Sequence, residues 1–169
     1  MLVSPFMNFG KCLDQAVNDA ARMFGIAGHE FNVTFYSGRL LNARGQSVSG
    51  TITFEREIDT ENERINTVFN IRIRRYLSTP MTIATIFHEF AHAAQYRFNL
   101  VCRETGYCPR GYNREQHAEL MAFQKMWRSD TYWWNALHML TMHTFWGKPT
   151  EYRAPGSMWR AFFTGANAV

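Results

Sequence analysis

Hydrophobic and polar positions alternate along the chain with two distinct periods. Residues 8–25, NFGKCLDQAVNDAARMFG, bring Leu13, Val17, Ala20, Ala21 and Phe24 to one face at helical spacing. That pattern predicts an amphipathic helix stopped by Gly25. Three segments then change to a period of two. FNVTFYS (31–37) alternates through Phe31, Val33 and Phe35, and TITFERE (51–57) through Ile52 and Phe54. INTVFNIRIRR (65–75) sets Ile65, Thr67, Phe69, Ile71 and Ile73 against Asn66, Asn70, Arg72 and Arg74, with Val68 the exception. Half-buried strands have this alternation, and the polar run EIDTENE between the second and third suits a hairpin. The expected product is a three-stranded antiparallel sheet with one wet face.

The helical period then returns. STPMTIATIFHEFAHAAQYRF predicts a helix with Ser78 or Thr79 as N-cap, Pro80 in its first turn, and a stripe of Ile83, Ile86, Phe87, Phe90 and Ala94. Residues 99–112 hold Gly106, Pro109 and Gly111 and read as a loop. Helix is expected again over 113–128 and from about 132 to 145, with a loop-like tail after Gly147. Strands grouped ahead of long helices make the class α+β.

Composition narrows the class only a little. A chain of 169 residues, 46% hydrophobic and 15% aromatic, can bury a sizeable core and is too apolar for disorder. It has no run of about 18 apolar residues that would span a membrane. Its first residues, MLVSPFMNFGKCLDQ, lack the pattern of a signal peptide, so a cytoplasmic location without membrane contact is the expectation. Three cysteines, Cys12, Cys102 and Cys108, are sparse and odd in number, which fits free thiols in a reducing compartment. A net charge of +4 permits contact with nucleic acid without demanding it.

The candidate chemistry lies in TIFHEFAHAAQY, residues 85–96. On a helix His88 and His92 fall one turn apart on one face, together with Thr85 and Gln95, so two imidazoles can grip one ion. Glu89, one step round, is placed to act on a water. A catalytic zinc lowers the pKa of its water from 15.7 toward about 7, and a neighbouring carboxylate takes the proton as that water attacks a carbonyl. Such a site needs a third protein ligand. The helix YNREQHAELMAFQKMW offers Glu115, His117 and Glu119. With Leu120, Phe123 and Trp127 as its core face, His117 and Glu119 lie to either side and Glu115 further out.

Residues 11–128 resemble the SprT-like zinc metalloproteases. The likeness rests on a hairpin-rich front half, a strand ending in NIRIRRYL, a Pro-containing link, TIFHEFAHAAQY and the following NREQHAELMAF. It implies a zincin-like fold over 1–128, a zinc-dependent endopeptidase with Glu89 as catalytic base, and His88, His92 and His117 as ligands to Zn2+. The implied partner is a protein substrate, and because the family includes DNA-associated proteases, a DNA-bound substrate and contact with DNA belong to what the resemblance implies. Ala118 stands where that family has glycine, and EQHAE also fits the E-x-x-x-[DE] pattern of gluzincins, with Glu115 as ligand and Glu119 behind it. A DNA- or protein-binding module with a structural zinc is the alternative from another class.

Other features have blander readings beside functional ones. Arg72, Arg74 and Arg75 form a positive row that suits either nucleic acid or the protection of an edge strand. His138 and His143, five apart, cannot easily chelate together, and His29 falls in a turn. Residues 129–169 carry Tyr132, Trp133, Trp134, Trp146, Trp159, Phe162 and Phe163. They are expected to form an aromatic-rich helical extension packed on the same domain, more readily than a stacking platform for bases.

Overall fold

The computed structural model describes residues 9–61, 64–74 and 79–145. Its elements are α1 (Phe9–Phe24), β1 (Phe31–Tyr36), β2 (Gly50–Asp59), β3 (Arg64–Arg74), α2 (Thr79–Arg97), α3 (Arg114–Trp127) and α4 (Trp133–Phe145), with short 3-10 turns at Gly28–Glu30 and Pro109–Gly111. The α+β class and the order of elements follow the periodicity of the chain. Gly25 ends α1 with φ +68°, a conformation that favours glycine. Asn113 caps α3 by accepting from the Gln116 backbone N–H at 2.8 Å, and Gln116 returns a bond to the Asn113 N–H.

The sheet differs from the expected antiparallel one. Its strand order is β1-β3-β2, with β3 antiparallel to β2 and parallel to β1, so it is mixed. The cause is the connection between β1 and β2. Residues 37–49 are too long for a tight hairpin and fold on themselves through a Leu41–Ser47 bridge and a turn at Gly45. They carry the chain past the space that β3 fills. The β2–β3 hairpin forms as the polar connector suggested, with Ile58 opposite Ile65 and Phe54 opposite Phe69. Because β3 is central, Arg72 and Arg74 guard no edge; the Arg72 guanidinium lies 5.5 Å from the Tyr36 ring.

Helix α2 covers one face of the sheet, and α1 packs against α2. Phe69, Ile71 and Ile73 of β3 are fully buried there, with Phe31, Val33 and Phe35 of β1 packed beside them. Each of the three fully buried β3 side chains contributes about 1.5–3 kcal/mol by leaving water, and the half-buried β1 ones less. Phe31 meets Phe90 edge-on at 5.0 Å, and Phe87 lies between Phe24 and Tyr132. The helical layer ends near Tyr96, so the far end of the hairpin is uncovered and Ile58 and Ile65 are exposed despite their inward register. Helix α4 adds Ala136, Met139 and Leu140 to the same core, and Tyr132 just before it donates to Asp19 of α1 at 2.8 Å. Trp133 and Trp134 meet edge-on at 5.6 Å and stay exposed. Trp146, Trp159, Phe162, Phe163, Arg75 and Ser78 lie outside the described residues. No helix among the described residues is long and apolar enough to cross a membrane.

Candidate metal centre

Helix α2 carries its apolar stripe against the sheet and α1, and its polar face is buried as well. Thr85, Glu89, His92 and Gln95 are all below a tenth exposed. This is possible because β2 and α3 close over them, and each polar group must then find a partner inside the protein.

Gln95 fixes the local pattern. Its Nε2 donates to the Arg114 carbonyl oxygen at 2.7 Å, an acceptor that cannot donate, so Gln95 Oε1 must face the other way. Oε1 lies 2.8 Å from His92 Nδ1, which places the His92 proton on Nδ1 and leaves the Nε2 lone pair free to ligate. His88 is set in the same manner by Glu119, whose Oε2 accepts from Nδ1 at 2.6 Å. Both imidazoles therefore turn Nε2 inward, 3.1 Å apart. Glu115 completes the group. Its Oε2 is 3.0 Å from His92 Nε2 and 3.3 Å from His88 Nε2.

Three electron-pair donors thus converge with no proton of their own to share, an arrangement that needs a cation at its centre. Without a metal a proton takes that place. Burial alone would lower the His88 pKa, but its hydrogen bonds to Glu115 and Glu119, with the charges of Glu119 and Glu89, raise it well above 6.5. Glu115 responds in the opposite sense. Burial opposes its ionisation, yet its bonds to His88 and His92 hold the carboxyl far below its ordinary range.

His88, His92 and Glu115 form a group able to hold a metal ion. His117 stands outside that group. It is wholly buried, and its Nδ1 accepts from Gln95 Nε2 at 3.0 Å, so its lone pair is occupied in supporting the residue that orients His92. Glu119 is likewise a support behind His88.

Glu89 is buried beside the group. Burial raises its pKa, and the His88 and His92 charges draw it part of the way back. Gly50, the first residue of β2, makes room for it. A Cβ there would stand 2.5 Å from Glu89 Oε1, 2.8 Å from Thr85 Cγ2 and 2.9 Å from Glu89 Cγ. Sequence reasoning passed over Gly50, although a glycine within a strand is a known mark of close approach. It also passed over Tyr96 and Arg114, which line a cavity beside His92.

The cysteines are unbridged: Cys102 is exposed and Cys108 is buried, with its Sγ 3.7 Å from Gln95 Nε2. Compared with protein-family models, with curated proteins and with solved structures, the chain finds no match.

Proposed function

We propose that this chain is a zinc-dependent peptidase of gluzincin type, in which His88, His92 and Glu115 hold the ion and Glu89 handles the proton. The observation that carries the reading is the convergence of three ligand atoms at 3.0, 3.1 and 3.3 Å from one another. Ligands at about 2.05 Å from a tetrahedral zinc stand about 3.3 Å apart, so the group matches zinc with little adjustment. Two imidazoles and one carboxylate are also a catalytic donor set, which leaves a fourth position for water or substrate.

A bound zinc would supply Lewis acidity, lowering the pKa of a water toward about 7 and polarising a carbonyl oxygen. The chain's own residues do the rest. Glu119 and Gln95 hold the two imidazoles in the ligating tautomer, a support whose loss costs metal proteins about 10–100-fold in affinity. Glu89 receives the proton of the attacking water and hands it to the departing amine, so it begins and ends ionised. Its buried position raises its basicity toward what that transfer requires. The resemblance of TIFHEFAHAAQY to SprT-like proteases supports the same chemistry, while Glu115 in the place of His117 departs from that family's ligand set.

Metal analysis and proteolysis on variants test the reading. Glu89→Gln is expected to keep one zinc per chain and lose hydrolysis of a fluorogenic peptide. Glu115→Ala is expected to lose zinc, whereas His117→Gln, which keeps a polar partner near Gln95, is expected to retain it. Zinc bound by Glu115→Ala and lost by His117→Gln would reverse the ligand assignment. Hydrolysis at the wild-type rate by Glu89→Gln would end the proposed mechanism.

A further inference from the structure

The inward face of β2 runs along α2 in a fixed register. Gly50 meets Glu89 and Thr85, while Phe54 and Arg56 meet Tyr96 further along the helix. Between these contacts, opposite His92, the two elements part and leave a cavity of about 290 Å³. Its walls are Ile52 and Phe54 of β2, Phe69 of β3, and Tyr96 and His92 of α2. The cavity therefore opens about one helical turn beyond the carboxylate of Glu89, roughly 5 Å along the axis. At about 30 Å³ per water it holds on the order of ten waters, enough for one large side chain and too little for a bulky ligand.

The wall is held rigid. Arg56 donates to the Tyr96 hydroxyl from Nη2 at 2.6 Å and from Nε at 3.0 Å, and the Tyr96 ring lies 4.0 Å from that of Phe54. Phe54 is nevertheless 47% exposed, an aromatic ring left facing the opening. Arg114 lines the α3 end, and Arg56 stands behind the Tyr96 wall, bonded to its hydroxyl, so the cationic side chain at the cavity and the one behind its wall disfavour a cationic occupant.

On the peptidase reading, which this inference presupposes, we propose that the cavity is a specificity subsite. It takes a large apolar side chain, aromatic or branched aliphatic, from the residue flanking the bond to be cut, and it rejects lysine and arginine. Ile52 and Phe54 are the specificity-determining residues, since they present the apolar wall from the strand while His92 ties the cavity to the metal.

Peptidyl hydroxamates test this on the full chain loaded with zinc, by calorimetry. A benzyl or isobutyl side chain is expected to bind at least about 10-fold tighter than methyl, the range apolar pockets give for added carbon groups. An aminobutyl side chain is expected to bind no better than methyl. Ile52→Trp, which fills the cavity, and Phe54→Ala, which removes an already exposed ring, should each collapse the benzyl preference. Equal affinity for benzyl and methyl in the wild type, or a preference that neither variant moves, overturns the subsite while leaving the metal site standing. If zinc-loaded protein binds none of the hydroxamates, the peptidase reading itself fails.

Discussion

Gly50→Ala is the smallest change that should separate metal binding from turnover. The Gly50 backbone needs no positive φ, so only space opposes an added methyl. That methyl would stand 2.5 Å from Glu89 Oε1 and 2.8 Å from Thr85 Cγ2, where unstrained contacts are about 3.5 Å or more. Relief therefore requires the Glu89 carboxylate to shift by about 1 Å. Thr85 cannot share much of the displacement, because its hydroxyl donates to the Met81 carbonyl at 2.8 Å and its backbone is mid-helix. Strand β2 is held in turn by its full ladder with β3.

A misplacement of about 1 Å in a reacting group costs about 100-fold in rate, which is about 2.7 kcal/mol in the barrier. Overpacking should cost stability as well, about 1–3 kcal/mol, or about 2–12 °C in melting temperature for a chain of this size. Neither effect touches His88, His92 or Glu115, so zinc content should stay at one per chain. Continuous hydrolysis of a quenched fluorescent peptide gives kcat and KM, and metal analysis of the same sample gives occupancy. The expected result is kcat reduced about 100-fold with zinc retained. Wild-type kcat in a Gly50→Ala protein with an unchanged melting temperature would show that Glu89 is not confined where the structure puts it, and would refute this reasoning.

Three further outcomes are expected. Glu119→Gln and Gln95→Ala should weaken zinc about 10–100-fold without removing a ligand, as read by competition with a chromophoric chelator, because each frees one imidazole from its set tautomer. Zinc should protect the fold more at pH 8 than at pH 6, read as the change in melting temperature on adding metal. In metal-free protein the raised His88 pKa contributes stability that is complete below 6.5 and lost as pH rises through the folded value, and the lowered Glu115 pKa contributes stability present above 4.5 and lost only on strong acidification; the proton on His88 thus competes with zinc at the lower pH, and equal protection at both values would count against this competition. Tyr132→Phe should cost about 0.5–1.5 kcal/mol in urea unfolding by deleting its bond to Asp19, with zinc content unaffected.

The order of elements was legible because burial on one side imposes a period on the chain: α1 and the covered part of β3 each bury one face, and α2 keeps its apolar stripe although its polar face is buried too. Sheet topology was not legible, because a period of two records which face of a strand is covered and is silent about its neighbours. β1 alternates identically whether β2 or β3 lies beside it. Only the length of residues 37–49 hinted that β1 and β2 need not pair. Ile58 and Ile65 expose a related gap, since their alternation continues past the point where α2 ends and nothing covers them.

The site shows why a motif fixes some ligands and leaves others open. His88 and His92 belong to one helix, so their convergence follows from helical geometry alone. The third member of the group, Glu115, comes from a separate helix, and which α3 residue meets the two imidazoles depends on how far α3 is rotated against α2. Periodicity put His117 nearer the core face than Glu115, and the structure agrees, with His117 fully buried and the Glu115 side chain 37% exposed. What periodicity lacked was the position of the two imidazoles relative to that core. The Nε2 atoms of His88 and His92 meet at the rim of the α2–α3 interface, where a residue further out reaches them and a deeply buried one meets Gln95 instead. Burial therefore sets His117 against Gln95 and apart from the His88, His92 and Glu115 group. The same rotation that hides it brings Glu119 against His88 Nδ1 and Glu115 against both Nε2 atoms, so a single helix supplies one carboxylate between the imidazoles and another behind one of them.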